Sequence, residues 1–137
     1  MGQTFTIEVQ VAAGAQPADG VEAHLGFDPG KLQVVDINNA PANAITPGTT
    51  LPQELLNVVD NAEGWIDYAA GAAFGAGNER SGTFSLATIR FKALGATGET
   101  GTPVKFTFTP PRKTEITGPG AVVVLRWYSD GNITITP

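Results

Sequence analysis

The sequence has no cysteine, which rules out disulfides and thiolate chemistry, whether catalytic or metal-binding. Charge is sparse: 15% of residues are Asp, Glu, Lys or Arg, and the eight cations form no cluster. With a net charge of −5, there is no basic footprint for a phosphate backbone, so nucleic acid is a poor partner. Long apolar runs are also absent. The longest, "VVVL" and "AAGAAF", fall far short of the roughly 20 residues a spanning helix needs. Met1-Gly2 runs directly into strand-like sequence without a signal-peptide pattern, as expected of a module from a larger protein. No helical period and no internal repeat is found.

What is present points to β-structure. The 137 residues are 42% hydrophobic, with 17 Gly and 10 Pro, enough apolar content for a real core and much punctuation between short strands. We expect a single domain over residues 1–137, all-β, with the layout of a β-sandwich.

The alternation is clearest near the N-terminus. In "TFTIEVQV", Phe5, Ile7, Val9 and Val11 share one face, and Thr4, Thr6, Glu8 and Gln10 the other. Val21, Ala23, Leu25 and Phe27 form the next inward row, which turns Glu22, His24 and Gly26 outward. "DPG" (Asp28–Gly30) is a turn, since Pro fixes φ and Gly frees it, and a strand over Leu32–Ile37 follows. Residues Asn38–Gln53 read as a long surface loop. "ELLNVVDNAEGWIDYAAG" reads as two strands about the turn Asn61–Gly64, with Tyr68 inward and Trp65 and Asp67 outward. A Gly/Ala loop, Gly71–Gly82, precedes the longest strand candidate, "TFSLATIRFKA". There Ile89, Phe91 and Ala93 oppose Thr88, Arg90 and Lys92, and a phase change predicts a bulge near Ala87. "PVKFTFT" turns Val104, Phe106 and Phe108 inward. "AVVVLRWY" is apolar on both faces and reads as a central or covered strand. "SDGN" reads as a hairpin turn before a closing strand, "ITIT".

Few residues suggest chemistry. His24 is the lone histidine, and no nucleophile-elbow pattern accompanies it. Glu22 and His24 offer two ligands where a zinc site takes three or four, so His24 reads as an exposed residue that binds no metal. The acids are scattered, with no pair marked for glycoside cleavage. Asp130-Gly131-Asn132 lacks the regular oxygen ligands of a calcium loop. Trp65, Tyr68, Trp127 and Tyr128 do not alternate onto one face, so core or interface use outweighs a sugar platform. Neither a catalytic residue nor a metal or cofactor site is assigned.

Taken together, "GVEAHLGFDPGKLQVVDI", "GWIDYAAG", "SGTFSLATIRFKA" and "LRWYSDGNITIT" resemble a cohesin module in order and spacing along nearly the whole chain. Cohesins are non-catalytic receptor domains of cellulosome scaffoldins and related surface proteins. The resemblance implies a nine-stranded sandwich of jelly-roll topology, and a dockerin as partner, with any calcium carried by the dockerin. It implies docking on a sheet of family strands eight, three, six and five. By motif these map to Val122–Trp127, Val21–Phe27, Thr83–Ala93 and Trp65–Ala70. The expected partner-binding residues are therefore Glu22, His24, Trp65, Asp67, Thr88 and Arg90, with the Gly71–Gly82 loop beside them. The resemblance also implies an extracellular or cell-surface location within a larger exported protein.

The chain departs from the family pattern at its start, where an extra strand would precede "GQTFTIEVQV". Eight strands are expected if that strand is missing, with an open edge beside Ile133–Thr136. A monomer is expected, and a strand-mediated dimer if that edge is free. Two other functions stay open at this level: a structural or adhesive surface domain without a dockerin, and a carbohydrate-binding module.

Overall fold

The computed structural model describes residues 2–75, 77–120, 122–125 and 128–137. Its strands are β1 (Thr4–Ala18), β2 (Gly20–Gly26), β3 (Leu32–Val34), β4 (Thr46–Pro47), β5 (Gln53–Asp60), β6 (Trp65–Gly71) and β7 (Arg80–Ala93). They continue with β8 (Thr102–Phe106), β9 (Phe108–Thr109), β10 (Arg112–Lys113), β11 (Glu115–Gly118), β12 (Val122–Val123) and β13 (Gly131–Ile133). No helix occurs among the described residues.

The strands form two packed sheets and a small hairpin. β7 lies at the centre of a four-stranded sheet, with β1 on one side and β3 and β4 on the other. The second sheet has the order β12-β11-β2-β6-β5, and β8 joins it by pairing with both β2 and β13. Alternation decides which side chains meet between the layers. Val9 and Val11 of β1, Val21, Ala23 and Leu25 of β2, Ile66 and Tyr68 of β6, and Ile89 and Phe91 of β7 are all buried in one cluster. Phe91 anchors it, with the rings of Phe5 and Phe27 at 5.9 and 5.4 Å. Burial, and next the carboxylate of Glu54, push the Tyr68 phenol above its ordinary 10.0. The Gly48 backbone opposes this shift.

The turns follow side-chain chemistry. Asp28 accepts from the Gly30 amide at 2.8 Å, and Asp60 accepts from the amides of Ala62 and Glu63 at 3.0 Å, each fixing its corner as an Asx turn. The bulge expected near Ala87 is present: Val9 faces Ala87 and Gln10 faces Ser85, so Leu86 is the extra residue.

Several expectations are corrected. The expected count of eight or nine strands is not confirmed: among the described residues there are thirteen, several of two or three residues. The segment Asn38–Gln53 is not all surface loop, because β4 pairs with β7 and Ile45 and Leu51 enter the core. Of "AVVVLRWY", Val122 and Val123 form a two-residue strand at the sheet edge and are more than half exposed. Arg126 and Trp127 lie outside the described residues, so Trp127 as the end of family strand eight does too. "SDGN" does not close a hairpin with β12. Instead Asp130 accepts from the Phe106 amide at 2.9 Å, and β13 pairs with β8.

Candidate functional site

The outer face of the seven-stranded sheet is set by register. One cross-strand row runs Glu115, Glu22, Ala69, Leu56 and the next His24, Asp67, Val58. A third runs Gly26, Trp65, Asp60. Small residues keep the middle flat, and Val58, Leu55 and Trp65 are exposed along its β5–β6 side.

A charged network lies across this face. Nδ1 of His24 is 2.7 Å from Oδ1 of Asp67, and Nε2 is 2.7 Å from Oε1 of Glu22. A neutral imidazole carries one N–H, so only the doubly protonated ring donates to both carboxylates. The same Asp67 oxygen also accepts from Arg112 Nε at 2.8 Å. The Arg112 guanidinium also donates to the Leu25 carbonyl at 2.9 Å and lies 4.9 Å from the centre of the Trp65 ring. This places Trp65, Asp67, His24 and Glu22 in one chain of charge-assisted bonds and a cation–π contact.

Arg112 reaches the face on the hairpin β9–β10, inserted where β8 leaves β2 and β11 takes over its edge. The insertion is pinned beside His24. Thr107 N–H donates to the His24 carbonyl at 2.7 Å, and the Thr114 hydroxyl accepts from the His24 amide at 3.0 Å. That hairpin is the physical reason His24 is not exposed as the alternation suggests. It sits on the outer face, yet only 3% of it is accessible. Glu22 remains open to solvent, with 45% of its side chain accessible.

Of the six expected partner-binding residues, the fold brings Glu22, His24, Trp65 and Asp67 together and separates Thr88 and Arg90. β7 belongs to the opposite sheet, where Thr88 sits between Glu8 and Thr46. There Arg90 donates to the Thr4 hydroxyl and the Asn39 side chain, at 3.0 and 2.8 Å. The expected mapping paired Trp65–Ala70 with Thr83–Ala93, but β6 pairs with β2 and β5 instead. Arg112 went unread because "TPPRK" shows no periodicity. The only sequence hint was the alternation of "FTFT" broken by the Pro pair. The loop beside the face, residues 72–79, presents Phe74 at 92% exposure, and Ala76 within it lies outside the described residues. Among the described residues no group of three or more His, Asp or Glu is arranged to hold a metal.

Comparisons with known proteins bear on the family and the fold. The sequence model of the Cohesin domain family matches residues 1–118. Among solved structures, the chain is similar to a dockerin–cohesin complex, CaDoc0917 with CaCohA2, the cohesin from Clostridium acetobutylicum. Identity there is 20% and the TM-score 0.75, over 98% of this chain and 91% of the other. A type II cohesin domain from the cellulosome of Acetivibrio cellulolyticus matches at 17% identity and TM-score 0.75, over 96% of this chain and 86% of that one. The third cohesin ScaC of the same organism, in complex with the ScaB dockerin, matches at 16% identity and TM-score 0.74, covering 99% and 91%. No curated protein sequence matches.

Proposed function

The chain belongs to the cohesin domain family, and from that premise we propose that it is a docking module that binds a dockerin through the outer face of the β11-β2-β6-β5 layer. Cohesins are non-catalytic interaction modules of cellulosome scaffoldins, and solved complexes of this fold hold dockerins. The observation that carries the reading is the bonded chain Glu22–His24–Asp67–Arg112–Trp65. It fixes an exposed carboxylate and an exposed indole on one flat surface. A preorganised polar group beside an aromatic and aliphatic strip is the composition of an interface hot spot. In this reading Glu22 accepts hydrogen bonds from the partner, Trp65 and Val58 supply apolar contact, and His24 and Asp67 hold the others in place. The domain acts within an exported scaffold, at the cell surface or in the medium.

Calcium belongs to the dockerin in this scheme, whose paired loops need it to fold. With the domain immobilised and a purified dockerin applied, retention is expected in calcium and release on addition of a chelator. A dockerin panel that flows through in calcium would overturn the proposal.

A further inference from the structure

The sequence contains a single histidine, His24, and the outer face of the seven-stranded sheet holds its ring between two carboxylates. Nδ1 lies 2.7 Å from an Asp67 oxygen and Nε2 lies 2.7 Å from a Glu22 oxygen. The imidazolium has a proton for each contact, the neutral ring for only one. The two carboxylates are not held equally. Asp67 Oδ1 also accepts from Arg112 Nε, and its side chain is 23% accessible against 45% for Glu22. The main chain of His24 is pinned independently of the ring, by the Thr114 hydroxyl at its amide and the Thr107 amide at its carbonyl. Other charged groups surround the pair. On β11, Glu115 stands opposite Glu22 and is bridged to Lys113 of β10 at 3.2 Å. Lys105 of β8 stands opposite Gly26, the next outward position of β2. Asp60 of β5 stands opposite Trp65, with its carboxylate bound to the turn amides of Ala62 and Glu63.

Resting on the docking reading above, we propose that protonation of His24 sets the affinity of this face for its partner by fixing or releasing Glu22. With the ring doubly protonated, both bonds form and a partner's donor meets a preorganised Glu22 acceptor. When the ring loses a proton, the bond to Asp67 persists through the Nδ1–H tautomer, because Asp67 is the more buried and is also held by Arg112. The Nε2 lone pair then faces the Glu22 carboxylate, and Glu115 directly across the strands repels it as well. Glu22 turns to water. Docking must then order a free side chain, which weakens binding by about three- to tenfold. Deprotonation also leaves the site one charge more negative. At an exposed carboxylate that effect is screened by salt, so the ordering of Glu22 decides the sign. Docking is therefore tightest in mildly acidic surroundings and weakens across the range, about pH 5 to 8, in which histidine changes charge.

The test uses the full chain, a purified dockerin and calcium throughout. In the free domain, NMR follows the ring protons of the one histidine and the side-chain carbons of Glu22 from about pH 5 to 8. Calorimetry over the same range measures affinity for the native chain, His24→Gln and Glu22→Gln. The native chain is expected to lose about three- to tenfold in affinity as pH rises, with the midpoint of the ring titration. Either substitution is expected to remove that step and leave only the slope of the dockerin's own calcium sites, common to all three proteins. A purely structural His24 would change affinity without changing its pH profile. If His24→Gln does not fold, Glu22→Gln at its exposed position still carries the comparison. A ring that does not titrate in this range, an affinity midpoint away from that of the ring, or the same step retained in Glu22→Gln would overturn the proposal. If the dockerin binds at no pH, the docking reading itself fails. The coupling is then judged in the free domain, where Glu22 carbons that ignore the ring's titration would overturn it.

Discussion

At the scale of single residues, Asp67 is the hinge of the site. One of its oxygens meets both His24 Nδ1 and the Arg112 guanidinium, two groups that its removal would leave without this partner in a poorly solvated place. Truncating one partner of such a cluster costs more than the cluster contributes, because the remaining charges lose compensation. Asp67→Ala is therefore expected to lower stability by about 3 kcal/mol, measured by urea denaturation. A loss below about 1 kcal/mol would show that His24 and Arg112 find other partners. Glu22 behaves differently, since almost half its side chain meets water. Removing it should change binding more than folding.

At the scale of elements, the site depends on a corner and an insertion. Gly64 closes the β5–β6 turn with φ of +78° and returns its carbonyl to the Phe27 amide at 2.9 Å. A side chain there would meet both a left-handed backbone and the Phe27 carbonyl. Gly64→Ala should cost about 2 kcal/mol or more, read from the denaturation midpoint. A neutral outcome would mean that the corner relaxes without disturbing Trp65. The second element, the hairpin β9–β10, shows where sequence reading reaches its limit. Period-two alternation correctly turned Val21, Ala23 and Leu25 inward and Glu22, His24 and Trp65 to the other side, because that information is local. It could not reveal that residues more than 80 positions downstream fold over His24 and bury it. Nor does alternation tell which sheet a strand joins. Thr88 and Arg90 carry the same outward signature as Asp67 and face solvent from the opposite side of the molecule. The short strands β10 and β11 were equally hidden, since two and four residues give little period to detect.

At the scale of the whole molecule, two sheets offer two different surfaces. The outer face of the seven-stranded layer carries the fixed carboxylate and indole, while the outer face of the four-stranded layer carries Thr88 and Arg90. The central claim is that docking uses the first and not the second. The measurement that tests it most directly is a calorimetric titration of a dockerin, in calcium, into three proteins. These are the native chain, Glu22→Ala with Trp65→Ala, and Thr88→Ala with Arg90→Ala. The first pair is expected to lose about 2 kcal/mol or more, roughly 30-fold in Kd, and the second to stay within about twofold of the native chain. If Thr88→Ala with Arg90→Ala weakens binding while Glu22→Ala with Trp65→Ala does not, and circular dichroism shows both folded, docking lies on the other sheet and the assignment is wrong.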